Sequence, residues 1–448
     1  MSAAAFHRGL YIEHFEEIAG KYEARLSRLD DGESTLEELG DLDARIAAHL
    51  DGLVLGGEPA LDVARSRFEV RDASSLHAFV ALACWLDCFE LVELALARLE
   101  AFAGEPDADP RDLADARKAM VDALVQHLPT TWADSLTRAL WRAGPQGVVV
   151  LGQTVGVRWA DAPGIAEVLD YASTLRAVEP TALLWALARC GGVRCEALHR
   201  RLASEDPRLA MPAAVGMLRR GSSEVVDVLA KRASERWSTL LLALCSGPTF
   251  GRQLLADAHC DARAEQLIGL GLLGDPECID VLRSQLVGDQ GHAAALGLFL
   301  LTGALLKRER PPHDAAREDD DDLDELDERE VDDAPLAWLS RASISTDPEA
   351  WARWLDQYGT RLRPGARHRL GVLGSPLADL EAVTTVELPL PLRRLLIDEL
   401  VIRYGVGVGL DPELPEYHQL EILARMRAEL DGVRTEPGTW CVGRRCVA

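Results

Sequence analysis

Some residues in this chain have types and spacings that chemistry uses. Gly269, Gly271 and Gly274 spell GLGLLG, the glycine spacing that brings backbone amides up to a dinucleotide pyrophosphate. That use requires a preceding strand and a following helix. Here the motif closes an apolar helical segment, AEQLIGLGLLG, and precedes Asp275-Pro276. Small residues in that setting predict close packing of stacked helices, and no cofactor is expected. Asp320, Asp322 and Asp324 fall at positions 1, 3 and 5 of a calcium loop, but Glu325 stands where the turn glycine belongs and Val331 where the bidentate Glu belongs. Weak counterion condensation is the reading there.

The nine cysteines are scattered and form no CxxC pair. Cys84 and Cys88 share a helical face, and His77 lies seven residues before Cys84, yet no fourth ligand completes a zinc site. Buried reduced thiols are expected, with Cys441 and Cys446 as a pair able to form a disulfide outside a reducing compartment. None of the 11 histidines is followed by Glu, the pairing that iron enzymes on helical repeats use, and HExxH, GxSxG and P-loop motifs are absent. His49, His127 and His199 are expected on helix surfaces or hydrogen-bonded in the core. The chain therefore offers no catalytic or metal-binding residues, and a non-enzyme is predicted.

Basic residues give the sharper constellation. Arg200 and Arg201, Lys231 and Arg232, and Arg283 fall at similar offsets after successive turn glycines, with Ala256 breaking the series. They are the candidate partner-binding residues, a ladder along second helices that meets an acidic protein surface. The bland alternative is the solvated face of ordinary amphipathic helices. A third reading folds the acidic run 318–333 over the ladder, and predicts that its deletion raises ligand affinity at low salt.

The elements that must carry these residues follow from a repeat. Turn glycines recur at Gly164, Gly192, Gly221, Gly247, Gly274 and Gly303, with gaps of 28, 29, 26, 27 and 29 residues. Before most lies an apolar segment (TALLWALARC, STLLLALC, HAAALGLFLL), and after most an amphipathic one (RCEALHRRLAS, SEVVDVLAKRA). Asp206-Pro207 and Asp275-Pro276 are helix starts: Asp caps free amides, and Pro at the first helical position forfeits no hydrogen bond. Each unit reads as helix–Gly turn–helix. One pair cannot bury its apolar face alone, so neighbours must stack. An all-α fold is expected: an α-solenoid of short HEAT-like repeats with helical N- and C-terminal regions.

The expected organisation is an N-terminal helical region over 1–125, the repeat array over 126–306, an acidic disordered linker over 307–334, a C-terminal helical region over 335–434 and a frayed tail over 435–448. Within the linker, Glu318–Asp333 holds 12 acidic residues and one Arg, a self-repelling run. Upstream helices are predicted at Leu36–Leu53, at Ser74–Ala103 as two helices around Asp87–Phe89, and from Asp109-Pro110 to His127. Downstream ones are predicted at Ala350–Tyr358, Leu392–Tyr404 and Pro415–Leu430.

Composition bounds function. The 448 residues carry 73 Asp and Glu against 48 Lys and Arg, a formal charge of −25, and 48% are hydrophobic. Apolar content suffices for a large core, while the acidic balance opposes nucleic acid and anionic membrane as partners. The longest apolar run, Ala293–Leu306, is shorter than the roughly 20 residues of a membrane span. With no basic leader followed by an apolar stretch at the start, a cytoplasmic location is expected.

The segment LDARIAAHLDGLVLGGE at Leu42–Glu58 resembles the start of a proteobacterial family of HEAT-like repeat proteins of unknown function, often encoded in type VI secretion gene clusters. Leu42, Asp43, Arg45, Ala48, His49, Leu50, Asp51, Gly52, Leu53, Gly57 and Glu58 carry the likeness. RPGARHRLGVLGSPLADLEAV, the Arg-rich helix at Leu392–Tyr404 and Gln419 extend it toward the C-terminus. The family has no assigned catalytic residues, so the resemblance implies a setting in a Gram-negative secretion apparatus rather than a reaction. Independently, Asp51-Gly52 predicts a helix end with Gly in the left-handed region.

These readings converge on a non-catalytic protein-binding scaffold, an adaptor, chaperone or assembly factor of a type VI secretion system, with a protein partner, no nucleic acid and no membrane span. Two alternatives stand beside it. One is a helical-repeat enzyme such as a lyase or a DNA glycosylase-like protein, which the net charge opposes in its DNA form. The other is an immunity or regulatory protein that neutralises a toxin.

Overall fold

The computed structural model describes residues 3–30, 35–158, 165–172, 180–190, 196–258, 262–307, 344–385, 388, 390–406, 409–443 and 445–446. Gly164, Gly192 and the run 318–333 lie outside them. Described residues are mostly α-helical, with two short antiparallel hairpins and one isolated bridge. They form two compact units: Met1–Ser222 with Gly407–Met426, and Ser223–Val406 with Arg427–Ala448. The boundaries expected from sequence do not follow these units, because the repeat array is divided after Ser222.

The first unit contains α1 (Ala3–Asp30), α2 (Leu36–Arg67), α3 (Ala73–Trp85), α4 (Phe89–Ala103), α5 (Pro110–His127), α6 (Ala133–Leu140), α7 (Pro145–Arg158), α8 (Ile165–Ala172), α9 (Pro180–Arg189), α10 (Glu196–Leu202) and α11 (Pro207–Arg219). From α3 onward, each odd-numbered helix packs on the next odd one. The even helices α4, α8 and α10 lie against that series. Enclosure explains composition: every residue of α3 from Ser74 to Cys84 is buried, whereas α10 buries only Ala197, Leu198 and Leu202. Close stacking needs small residues. A Cβ on Gly156 would lie 2.7 Å from the Ala186 Cβ, and one on Gly216 would lie 2.8 Å from the Ala188 Cα.

The Asp51-Gly52 expectation is corrected here. α2 runs through Gly52 and breaks at Gly57, which takes φ 57° and ψ −142° ahead of Pro59. Gly52 serves proximity instead, since a Cβ there would sit 2.8 Å from Nε2 of His14 on α1.

The second unit repeats the pattern with α12 (Glu224–Lys231), α13 (Arg236–Cys245), α14 (Pro248–Ala258), α15 (Ala264–Leu273), α16 (Ile279–Ser284) and α17 (Gly291–Thr302). Here α13, α15 and α17 stack in series while α12, α14 and α16 lie against them. Gly274 and Gly303 close α15 and α17 in left-handed conformation at φ 73° and 68°, as the repeat glycines predict. Further helices follow at Pro348–Tyr358, Pro376–Val383 and Leu390–Tyr404.

A hairpin of β1 (His368–Arg369) and β2 (Val372–Leu373) finishes the ends of two stacked helices. The Leu370 and Gly371 amides donate to the Leu300 and Leu301 carbonyls of α17, and the His368 amide donates to Gly274 O just beyond α15. Carbonyls that a helix terminus leaves without partners are thereby paired.

The expected frayed tail is also corrected. Trp440 and Cys441 are buried, and Trp440 Nε1 donates to Leu273 O at 3.0 Å. Gly438 accepts from the Arg367 amide and donates to Gly374 O. Cys441 and Cys446 are register partners across the antiparallel β3–β4 ladder (Cys441–Val442, Arg445–Cys446). Composition hid this segment, because most of its ties are backbone hydrogen bonds, at Gly438, Cys441 and Gly443, that no side-chain pattern announces.

Candidate functional site

In the first unit, α3 and α5 end on residues that face a common recess: Trp85 is the last residue of α3 and His127 the last of α5. Asp43 and Ala47, one helical turn apart on α2, form a second wall, and Pro415 and Tyr417 a third. The recess has a volume of about 230 Å³. Asp43 positions that third wall. Its Oδ2 accepts the Glu416 amide at 3.1 Å, capping the Glu416–Asp431 helix, while Oδ1 accepts Arg25 Nε at 2.7 Å. Arg25 is almost fully buried and also donates to the Glu413 and Leu414 carbonyls. Tyr417 reaches across to donate its hydroxyl to Gln126 O at 3.3 Å.

His127 supplies the recess with its distinctive group. Trp85 Nε1 donates to His127 Nδ1 at 3.3 Å, so a neutral imidazole carries its proton on Nε2. That Nε2 is buried and has no hydrogen-bond partner among the described residues. Burial, then the nearby Arg25 and Arg158, pushes the His127 pKa down to about 3, so the ring is uncharged at neutral pH. Arg158 donates to His418 Nε2 at 2.6 Å and to Leu128 O. Burial followed by that arginine lowers His418 to about 4.

Deeper in the unit, His77 stacks on Tyr22 with ring centroids 3.8 Å apart and pairs with Gln126 Oε1 through Nε2. Its Nδ1 and the Gln126 Nε2 have no partner among the described residues. Tyr22 donates to Asp122, which also accepts from Lys118. The arrangement around the recess offers aromatic walls, one neutral donor and a carboxylate already engaged by Arg25. Among the described residues, no three His, Cys, Asp or Glu side chains converge as a metal site requires.

The residues singled out by sequence fall as follows. Arg200 and Arg201 are exposed on α10, with Arg200 3.9 Å from Glu196. Lys231 is exposed at the end of α12, and Arg283 is half-buried on α16. Arg232 is committed within its own unit: it donates twice to Glu235 and lies over the Trp237 ring. His49 meets His14, Nδ1 to Nδ1, at 2.9 Å. GLGLLG packs helices, since a Cβ on Gly271 would lie 2.5 Å from the Gly297 Cα.

The second unit holds a buried ion cluster that sequence reading passed over. Arg367 binds both Asp379 oxygens and Glu399, Arg369 binds Asp379 and Glu399, and Arg403 binds Glu399. Tyr404 adds a hydroxyl to Asp379 at 2.7 Å. Arg367 and Arg369 belong to the RPGARHRLGVLG segment that carries the family likeness, so that segment has a structural reason independent of any ligand. The recess has a sequence signal too: Asp43 and Ala47 lie in LDARIAAHLDGL. Its other walls come from residues far apart in the chain, which spacing alone cannot join.

Compared with protein-family models, curated proteins and solved structures, the chain matches none.

Proposed function

We propose that the protein is a non-catalytic scaffold, an α-solenoid of short HEAT-like repeats that holds a protein partner as an adaptor or assembly factor of a type VI secretion system. The observation that carries the reading is the helix order within each unit. Alternate helices are enclosed in the stack, and the helices between them leave charged faces open, with Arg200, Arg201 and Lys231 exposed. Stacked repeats present such faces over a long surface, which suits a macromolecular partner. The likeness of Leu42–Glu58 to the secretion-associated family supplies the setting.

Affinity capture of the full chain from its native host, at low and high salt, tests this. A secretion component is expected at near-equal amount with the wild type and reduced with Arg200→Glu/Arg201→Glu. High salt weakens exposed ion pairs, so a charged interface loses its partner there. Capture of no secretion component at either salt overturns the reading.

A further inference from the structure

The recess bounded by Asp43, Ala47, Trp85, His127, Pro415 and Tyr417 has a role that the charged outer helices do not explain. We propose that it binds a prolyl residue in an extended peptide segment, with the pyrrolidine ring between Trp85 and Tyr417 and the adjoining peptide carbonyl accepting from His127 Nε2–H.

Three observations lead there. The orphan atom is a donor, because Nδ1 is already an acceptor for Trp85, so the ligand must bring an acceptor. Charge selects a neutral one. Asp43, the one charged group in the wall, is neutralised by its ion pair with Arg25, and His127 is uncharged, so the lining offers an ionic ligand no open countercharge. Geometry then asks for an apolar ring close to a carbonyl, since the aromatic wall and the donor are hydrogen-bonded neighbours. A proline satisfies both with one residue: its ring is fused to an amide whose carbonyl lies one bond away. An aromatic side chain inserted between the walls carries its own carbonyl farther off. Extended prolyl segments also lose little conformational entropy on docking to aromatic surfaces. The rim is suited to a peptide: Tyr417 is 58% and Leu420 49% exposed, one turn apart, offering apolar area beside the recess.

The inference rests on the scaffold reading in taking the ligand to be part of a protein, but its test needs no host partner. The full chain labelled with ¹⁵N-tryptophan is titrated with acetyl-hexaproline amide, and the Trp85 indole signal, assigned by Trp85→Phe, is followed. That signal is expected to move saturably at about millimolar peptide or below, as single-residue pockets bind weakly. A Gly-Ser peptide of equal length is expected to leave it in place. Tyr417→Ala, at a residue more than half exposed, should keep the fold and weaken binding about tenfold, typical for loss of an aromatic anchor. Ala47→Leu, which fills the recess, should abolish the shift. No movement with hexaproline, equal movement with the Gly-Ser peptide, or movement with N-acetyltyrosinamide alone overturns the proposal. If Trp85→Phe does not fold, the signal that Ala47→Leu perturbs gives the assignment. A failed titration leaves the charged-helix scaffold standing, and a failed host capture leaves prolyl binding standing.

Discussion

Arg367, Arg369 and Arg403 share only two carboxylates, Asp379 and Glu399, and all five side chains are buried. One surplus positive charge would be costly in an apolar interior. Its compensation is in the backbone: Arg403 donates to Ala243 O near the end of α13, and Arg369 donates to Gly271 O and Leu272 O at the end of α15. Each helix C-terminus carries roughly half a negative charge, so two of them close the balance. Glu399→Gln removes the carboxylate that all three arginines touch. It is expected to destabilise the second unit by about 3–5 kcal/mol, read as a shift of its urea midpoint. Acid acts through two different windows. His127, at about 3 when folded against an ordinary 6.5, is protonated first in the unfolded chain. Stability should therefore fall as pH drops from about 6.5 toward 3, by up to about 1.4 kcal/mol per pH unit for this group. Denaturation at pH 7.5 and 5 checks it, with His127→Gln flattening the difference. Burial alone would raise Asp379, yet Arg367 and Arg369 outweigh it and hold the carboxyl below its ordinary 3.8. Its contribution is present above about 3.8 and disappears only below that value.

At the scale of elements, packing is set by where side chains are missing. Gly271 lies so close to Gly297 that an added Cβ would also meet the Gly297 O at 2.6 Å. Backbone cannot yield there as a flexible side chain can, so Gly271→Ala is expected to cost at least about 2 kcal/mol through forced separation of α15 and α17. Gly9 in α1 has nothing within 4 Å of an added Cβ. Gly9→Ala should stabilise by about 0.5–1 kcal/mol by removing backbone freedom from the unfolded chain; paired urea melts distinguish the two. Helix positions were readable because their causes are local. The Asp109-Pro110 cap gives α5 its start, and period-3.6 apolar spacing carries it to His127. What escaped reading depends on distant partners. Asp51-Gly52 has the local chemistry of a helix stop, but the approach of His14 makes Gly52 a contact point within a continuing helix. The recess escaped because it joins residues hundreds of positions apart. The arginine cluster lies within 367–403, but its charge balance depends on the Ala243, Gly271 and Leu272 carbonyls, 97 to 160 positions away.

For the molecule as a whole, the helical class and the pairing of enclosed with outer helices follow from apolar segments alternating with amphipathic ones. The division into two discontinuous units does not, since no composition change marks Ser222. The chain downstream of 434 contributes more than its polarity suggests. Deleting 435–448 removes Trp440 Nε1 from Leu273 and the Cys441 carbonyl from Arg403. Calorimetry should show the second unit's transition lowered or lost while that of the first persists. No described helix is long and apolar enough to cross a membrane. The first unit's discontinuity bears on how the protein is made. Arg25, Lys118 and Arg189 close on Leu414, Glu413 and Asp411, which the ribosome supplies only after most of the second unit. At 5–20 residues per second, α1–α11 emerge and wait on the order of ten seconds or more for that clasp. During the wait, the recess lacks Pro415 and Tyr417 and the apolar surface around Val125 and Val157 that Leu414 covers stays open to a chaperone.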